Sequence, residues 1–205
     1  MSIKMIFATN NKHKLDEIQH LLGDSFLLQS LKDIGFSGDI PETQPTLEGN
    51  ALQKAKFIFD RYQEPCFADD TGLEVESLNG EPGVYSARYA GTLEQFFGKE
   101  EIRSKANIEK LLSNLEDKLN RNARFRTVIA FIDWKNVPHY FEGIVNGKII
   151  KELKGNMGFG YDPIFIPNGY NETFAEMPLN EKNKISHRAR AFTKLIAYLK
   201  KEIEK

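Results

Sequence analysis

The sequence has little of what marks a secreted, membrane-bound or nucleic-acid-binding protein. It contains a single cysteine, Cys66, among 205 residues, which excludes an internal disulfide framework and fits a reducing compartment. It has no apolar run of about 18 residues and no signal-peptide pattern at its N-terminus. Its net charge is −1, so no overall basic surface for nucleic acid is expected. We therefore expect a cytoplasmic protein without a membrane or nucleic-acid partner.

Internal repeats, low-complexity segments and the G-x-x-x-x-G-K-[ST] pattern of a P-loop are also missing. A chain of 205 residues can bury a substantial core, and its length alone allows one or two domains. We predict a single domain over residues 1–205. Because no partner for a nucleophilic thiol is evident in the sequence, Cys66 is predicted to be a buried strand residue.

Two adjacent carboxylates, Asp69 and Asp70, are the most informative feature that the sequence does contain. They follow an apolar run and lead into Thr71 and Gly72, which are predicted to form a turn. Neighbouring carboxylates repel each other, and Mg²⁺, which prefers oxygen ligands and pairs with substrate phosphates, would relieve that repulsion. A solvated turn with an Asx-type hydrogen bond is the alternative.

A basic helix start near the N-terminus predicts a phosphate site. The apolar segment 5–8 is followed by Thr9, Asn10 and Asn11 and then by a helical pattern of apolar residues. Asn10 or Asn11 is the predicted N-cap, so two lysines fall in the first turn, where the helix dipole disfavours cations. A bound anion would reverse that cost, whereas a solvent-facing basic turn is the alternative. The lysines are Lys12 and Lys14, with His13 between them.

A second basic helix start lies near the C-terminus. Ser186 is predicted to cap a last helix whose first turn contains His187 and Arg188. This arrangement suggests that a second anion or the polar edge of a ring is bound there. In the preceding segment 158–165, glycines allow close backbone approach and an aromatic side chain could stack on a planar ligand. A turn packed on the core is the alternative for that segment.

Strand and helix signals alternate along the chain and then give way to hairpins. We predict strands over residues 1–9, 65–68, 73–75, 126–133 and 139–144, helices over 11–22, 46–62 and 100–119, and a tight hairpin at Asn146–Gly147. This order of elements predicts an α/β fold with a mixed sheet.

Five segments of the chain carry the motifs of one enzyme family. Segments 9–14 and 68–73 are similar to T-G-N-x-x-K and A-D-D-[ST]-G-L. Segments 83–89, 158–165 and 181–188 match G-[IV]-Y-S-A-R-[YF], G-F-G-Y-D-P-[IL]-F and E-K-x-x-x-S-H-R. The chain thus resembles the inosine triphosphate pyrophosphatase family over nearly its whole length. Because five motifs occur in series and in the right order, the resemblance is highly specific.

The resemblance implies an elongated mixed β-sheet flanked by helices, with two lobes and a cleft between them. It also implies Mg²⁺-dependent hydrolysis at the α-phosphorus of ITP, dITP or XTP, which gives the monophosphate and pyrophosphate. We expect Asp70 to orient or deprotonate the attacking water and to bind the metal together with Asp69 and Glu42. The residues expected to bind the substrate are Thr9, Asn10, Asn11, Lys12, His13, Lys14, Thr71, Phe159, Gly160, Tyr161, Asp162, Lys182, His187 and Arg188.

The resemblance implies that the residues of this set from Phe159 onward recognise the base. Donors directed at a 6-keto oxygen would favour inosine and xanthosine over adenosine, because the same donors would be unpaired opposite an amino group. The family also suggests a homodimer.

Two features depart from the family pattern. Asn10 stands where the family has glycine, and the segment Gly91–Ile108 differs from the family's usual A-T-D-x-x-N run. The alternatives are a pyrophosphatase for other modified or canonical nucleotides and a nucleotide-binding protein without turnover. A pure binder needs the basic helix starts but not Glu42, Asp69 and Asp70 together, so the acidic set favours an enzyme.

Overall fold

The computed structural model of the chain describes residues 3–11, 14–15, 18–19 and 26–203. In that part of the chain, six strands form one sheet in the order β2-β1-β3-β4-β5-β6. The strands are β1 (Ile3–Phe7), β2 (Phe26–Gln29), β3 (Cys66–Val75), β4 (Asn122–Ile132), β5 (Pro138–Ile149) and β6 (Phe165–Pro167). The strand β1 pairs in parallel with β2 and β3, whereas β5 and β6 are antiparallel. The sheet is therefore mixed, as predicted.

Four α-helices that lie wholly within the described residues accompany the sheet, which confirms the predicted α/β class. They are α1 (Leu47–Tyr62), α2 (Glu100–Asn114), α3 (Leu179–Ile185) and α4 (His187–Ile203). Among the described residues, none of these helices is both long enough and apolar enough to span a membrane.

Three helices begin at residues whose side chains cap the first turn. The hydroxyl of Thr46 accepts a hydrogen bond from the backbone N–H of Gly49 at 3.0 Å and so caps α1. Ser186 caps α4 in the same way, through the N–H of Ala189 at 3.1 Å. In the N-terminal segment, Asn11 Oδ1 accepts from the backbone N–H three residues on at 3.2 Å, and the described residues that follow are helical. Of the two predicted alternatives, Asn10 and Asn11, the N-cap is therefore Asn11, and the prediction that Ser186 is an N-cap is confirmed.

The chain forms two compact units, and each has its own aromatic core. Unit 1 comprises residues 1–70, 127–143 and 190–205, and unit 2 comprises 71–126 and 144–189. In unit 1, Phe7 stacks on Phe67 with ring centroids 4.6 Å apart. In unit 2, Phe165 and Phe174 pack around Phe125, with centroids 4.7 and 6.0 Å from its ring. The strands β3, β4 and β5 contribute residues to both units, and the cleft implied by the family resemblance stays a prediction.

Strand β3 runs without interruption from Cys66 to Val75, so the predicted turn at Thr71 and Gly72 is wrong. The glycine serves a different purpose. A Cβ atom built at Gly72 would lie 2.5 Å from the carbonyl oxygen of Gly83. The missing side chain therefore lets a neighbouring backbone approach the strand closely.

The dipeptide Asn146–Gly147 lies inside β5, so the predicted hairpin there is also wrong. A Cβ atom at Gly147 would lie 2.3 Å from the carbonyl oxygen of Ile166 on β6, and this glycine too is explained by close approach. The connection between β4 and β5 is made at residues 133–137. There the N–H of Asp133 donates to the carbonyl of Val137 at 3.1 Å, and Asp133 Oδ1 accepts from the N–H of Val137 at 2.9 Å.

Cys66 is the buried strand residue that its sequence context predicts. Its Sγ donates to the carbonyl oxygen of Ala55 in α1 at 3.0 Å. Burial raises the pKa of the Cys66 thiol to about 12. The thiol is therefore protonated near neutral pH and is a poor nucleophile.

Candidate functional site

The turn after β1 holds the first predicted substrate ligands. The hydroxyl of Thr9 accepts a hydrogen bond from the backbone N–H of Asn11 at 3.1 Å, and the Asn11 side chain caps the helix that contains Lys14. Asn10 is exposed. This turn therefore presents polar groups at a helix start, where anions are favoured. Two further predicted ligands, Lys12 and His13, lie outside the described residues.

Lys14 pairs with a carboxylate of the same chain, Asp69. Its Nζ lies 2.8 Å from both carboxylate oxygens of Asp69, which is 3% exposed. The two residues meet because β1 and β3 are neighbours in the sheet, with Phe7 opposite Phe67. The lysine that the helix dipole disfavours is therefore paired with a buried carboxylate on the adjacent strand.

A second lysine, Lys54 of α1, contacts the other two predicted metal ligands, Glu42 and Asp70. Its Nζ lies 2.5 Å from Glu42 Oε1 and 3.4 Å from Asp70 Oδ1. The Lys54 side chain is 10% exposed and the Asp70 side chain 14%. The structure thus places an ammonium group between the two carboxylates. The pattern of charges in the sequence did not identify Lys54.

Asn50, one helical turn before Lys54, is a further residue that sequence reasoning missed. Its side chain is nearly fully buried, its Nδ2 donates to Asp70 Oδ2 at 3.1 Å, and its Oδ1 accepts from the backbone N–H of Gln44 at 2.9 Å. Asn50 therefore fixes the orientation of the Asp70 carboxylate and connects α1 to the loop that contains Glu42. The available signal was two polar residues four apart that point into the core from an otherwise apolar helix face.

Burial governs the electrostatics of this part of unit 1. It raises the pKa of the Asp70 carboxyl; Lys54 and Asn50 oppose that rise, and the carboxylates of Glu42 and Asp69 add to it. Burial alone would lower the pKa of Lys54, but the three neighbouring carboxylates outweigh it and raise that pKa above its ordinary value. Lys54 is therefore an ammonium ion at neutral pH, beside a carboxylate whose proton affinity is increased.

We refer to Lys14, Glu42, Lys54, Asp69 and Asp70 as the lysine–carboxylate group. Within the described part of the chain, no three histidine, cysteine or acidic side chains come close enough together to hold a metal ion. The donor chemistry nevertheless fits Mg²⁺, because all three predicted ligands are carboxylates and Mg²⁺ prefers hard oxygen ligands. In the structure these oxygens contact lysine ammonium groups instead.

In unit 2, Asp162 organises the loop that precedes β6. Its side chain is buried, and its Oδ2 accepts from the backbone N–H of Phe159 at 2.8 Å and from Lys182 Nζ at 2.6 Å. Gly158 has a φ of +77°, and a Cβ atom there would lie 2.2 Å from the same carboxylate oxygen. The loop conformation therefore depends on a glycine at this position and on a carboxylate oxygen that accepts two hydrogen bonds.

The ring of Phe159 is the exposed aromatic surface of this loop. It is 48% exposed, and Lys182 Nζ and Arg188 Cζ lie 5.3 and 5.4 Å from its centroid. The neighbouring His187 is buried and stacks on Phe125 with centroids 4.7 Å apart and an interplanar angle of 15°. The structure therefore brings Phe159, Lys182 and Arg188 together, while one face of His187 packs on the core.

Tyr161 connects the same loop to the rest of unit 2. Its hydroxyl donates to the carbonyl of Ser86 at 3.0 Å, and that carbonyl also accepts from Asn107 Nδ2 at 3.3 Å. The hydroxyl of Ser86 accepts from the backbone N–H of Leu73 on β3 at 2.8 Å. Ser86 thus connects the loop, α2 and β3. Gly160, which has a φ of +61°, lies in the same loop, and Thr71 is partly buried on β3.

A cavity of about 570 Å³ in unit 2 is lined by none of the predicted site residues. Its two acidic side chains are already engaged: Arg124 Nε lies 2.6 Å from Glu74, and two asparagine side chains donate to Glu76 at 3.1 and 3.2 Å. This cavity therefore does not extend the predicted site.

Comparisons with known proteins identify relatives over nearly the full length. The model of the Ham1 family matches residues 5–198. The dITP/XTP pyrophosphatase of Flavobacterium psychrophilum is 52% identical over 198 residues, which cover 97% of this chain and 100% of that protein. The dITP/XTP pyrophosphatase of Porphyromonas gingivalis is 53% identical over 197 residues, which cover 96% and 97%. The solved structure of the Staphylococcus aureus Ham1 protein has a TM-score of 0.87 at 36% identity and covers 97% of this chain and 99% of its own.

Proposed function

Because the chain belongs to the Ham1 family, we propose that it hydrolyses the non-standard purine nucleoside triphosphates ITP, dITP and XTP to the monophosphate and pyrophosphate. The support comes from relatives that are named dITP/XTP pyrophosphatases and that align over nearly their whole length. An enzyme with this activity cleanses the nucleotide pool.

The observation that carries the proposal is the lysine–carboxylate group of unit 1. Phosphoryl-transfer catalysis depends on cations placed near the phosphates and on a carboxylate that orients the attacking nucleophile. This group supplies two ammonium ions and three carboxylates, each in direct contact with a partner of opposite charge. A polar helix start, the turn at Thr9 and Asn11, precedes the first of the lysines.

We assign the attacking water to Asp70. Its raised pKa suits a carboxylate that accepts a proton during the reaction. The water oxygen would bond to the α-phosphorus as the bond from that phosphorus to the bridging oxygen breaks, and pyrophosphate leaves. Lys14 and the donors of Thr9, Asn10 and Asn11 would bind the phosphates and stabilise the negative charge that spreads over their oxygens.

Glu42, Asp69 and Asp70 would hold Mg²⁺ through their carboxylate oxygens. When bound, the ion polarises phosphate oxygens and offsets their charge. Asn50 keeps the Asp70 carboxylate oriented through its side-chain hydrogen bond. Lys54 contacts Glu42 and Asp70 in the same group. It would add a positive charge beside the reacting phosphate.

The residues of unit 2 are proposed to recognise the base. The exposed ring of Phe159 would stack on the purine. Lys182, His187 and Arg188 would direct donors at the base, with the 6-keto oxygen as the acceptor that favours inosine and xanthosine over adenosine. Gly160, Tyr161 and Asp162 would hold the loop in place. Thr71, which directly follows Asp70, would hydrogen-bond the substrate.

We further propose that residues 1–205 act as one functional domain, because the family model covers residues 5–198 without a break. We also propose a homodimer, which the resemblance to the inosine triphosphate pyrophosphatase family suggests, and a cytoplasmic location, which fits the single cysteine. Light scattering on the purified protein would test the dimer.

One assay tests the function directly. Pyrophosphate release is measured with ITP, dITP, XTP, ATP and GTP, each with and without Mg²⁺, for the wild type and for Asp70→Asn. The expected result is metal-dependent release that is fastest with ITP, dITP or XTP and is lost in the variant. Tight nucleotide binding without release would instead identify a binding protein, and fastest release from ATP or GTP would reject the proposed substrates.

A further inference from the structure

The charges of the lysine–carboxylate group nearly balance without a metal ion. Three carboxylates face two ammonium groups, and Lys14 contacts both oxygens of Asp69 at 2.8 Å. Two ammonium groups carry the same charge as one divalent cation. The chain thus supplies, from its own side chains, two of the three positive charges that would neutralise the three acids.

Lys54 occupies oxygens that a metal ion would use. It lies 2.5 Å from Glu42 Oε1 and 3.4 Å from Asp70 Oδ1, in a largely buried position. The other oxygen of Asp70 already accepts from Asn50 at 3.1 Å. A cation ligated by both Glu42 and Asp70 must therefore compete with the ammonium group for the same carboxylates.

We propose that Lys54 is an internal counter-ion that keeps the metal out of the site until a nucleotide arrives. In the free protein Lys54 contacts both Glu42 and Asp70 and offsets one of their two negative charges. When a metal–nucleotide complex binds, Glu42 and Asp70 would hold the metal through their carboxylate oxygens, and the ammonium group of Lys54 would pair with the phosphates instead. This inference rests on the proposed function, because it assumes that a metal–triphosphate complex is the ligand.

The exchange links the two binding events. A metal ion alone must displace Lys54 into water, whereas in the presence of a triphosphate the ammonium group gains a new anionic partner. The free protein should therefore bind a divalent metal weakly, and the nucleotide should strengthen metal binding. Linkage requires that the metal strengthen nucleotide binding by the same factor.

The test measures Mn²⁺ binding by electron paramagnetic resonance at pH 8, without nucleotide. The variants are Lys54→Met, Lys54→Arg and the matched control Lys56→Met, whose lysine is exposed on the same helix and pairs with Asp60 at 3.0 Å. Lys54→Met should bind Mn²⁺ about tenfold more tightly than the wild type, because a charge-assisted contact to the carboxylates is removed. Lys54→Arg keeps the competing charge, and it and Lys56→Met should show no gain.

Equal or weaker Mn²⁺ binding by a folded Lys54→Met would overturn the proposal, as would an equal gain in Lys54→Arg.

If Lys54→Met does not fold, a second experiment on the wild type tests the displacement of Lys54. Acetylation of Lys54 by an amine-reactive ester is followed by mass spectrometry as Mn²⁺ is added, with Lys56 as the internal reference. Saturating Mn²⁺ should raise the acetylation rate of Lys54 relative to Lys56, and an unchanged ratio would reject displacement. Neither readout depends on turnover, so a failure of the proposed activity is seen separately in the pyrophosphate assay.

Discussion

The two units use their buried carboxylates in different ways. In unit 1, Asp69 and Asp70 contact lysine ammonium groups, and burial raises the pKa of Asp70. In unit 2, Asp162 accepts from a backbone N–H and from Lys182, which fixes a loop. On the function proposed above, a ligand would replace the charge contacts of the first arrangement, whereas the second arrangement fixes the conformation of a loop. Substitutions in unit 1 should therefore change the rate, whereas substitutions in unit 2 should change the choice of base.

The largest effect is expected for Asp70→Asn in unit 1. The amide keeps the shape of the side chain but removes the charge to which we assign metal binding and the orientation of water, so kcat should fall by at least about 10²-fold. The ratio of kcat/KM between ITP and ATP should stay the same in the residual activity. Steady-state kinetics would check both statements. Asp60→Asn, an exposed carboxylate of α1, should have no effect, and near-native kcat in Asp70→Asn would refute the assignment.

Lys14→Ala should lower the stability of the metal-free protein. The sequence alone suggests the opposite, because the variant removes a cation from the positive end of a helix. The structure reverses that expectation, since Asp69 would remain buried without its ion pair at a cost of about 3 kcal/mol.

Urea unfolding without nucleotide would measure the change in the free energy of unfolding for Lys14→Ala. The control is Lys56→Ala, which breaks an exposed pair with Asp60 and should cost less than about 1 kcal/mol. Equal unfolding curves for Lys14→Ala and the wild type would show that the contact with Asp69 contributes little.

In unit 2, Arg188→Ala should compress the preference for ITP over ATP. A lost charge-assisted hydrogen bond to the 6-keto oxygen is worth about 1.5–3 kcal/mol, or ten- to a hundredfold in kcat/KM for ITP. The value for ATP should change much less. The measurement is kcat/KM for ITP and for ATP in the variant and in the wild type. An equal loss for both nucleotides would mean that Arg188 binds phosphate and does not contribute to the choice of base.

Tyr161→Phe should give the smallest change. It removes one hydrogen bond, from the tyrosine hydroxyl to the carbonyl of Ser86, which is worth about 1 kcal/mol. The loop that we propose to bind the base should become less ordered, so KM for ITP should rise about fivefold while kcat is nearly unchanged. A fall in kcat at constant KM would instead place Tyr161 in the chemical step, and it would contradict the expectation that substitutions in unit 2 leave the rate unchanged.

The parts of the fold that depend on neighbouring residues could be predicted from the sequence. The predicted caps at Asn11 and Ser186 and the extent of α1 agree with the structure, because a capping hydrogen bond reaches only three residues along the chain. The motifs likewise predicted the family. The short strands β2 and β6 were missed, since their pairing partners lie elsewhere in the sequence.

Two glycines show why the remainder could not be predicted. Gly72 and Gly147 were both interpreted as turn residues, yet each lies within a strand. Gly72 makes room for the backbone of Gly83, and Gly147 makes room for the backbone of Ile166 on β6. Asn50 and Lys54 were missed for a related reason. A polar residue on a helix is ordinarily solvated, and only the fold shows that these two face the carboxylates of Glu42 and Asp70.

The burial of Cys66 has a practical consequence for experiments on this protein. Since its thiol is protonated and packed against Ala55, maleimide and iodoacetamide reagents should leave the native protein unlabelled. A cysteine introduced at an exposed position such as Trp134 in unit 1 or Leu153 in unit 2 would then be the reactive thiol. Single fluorophores could be attached to either unit of the otherwise wild-type chain, without first replacing the native cysteine.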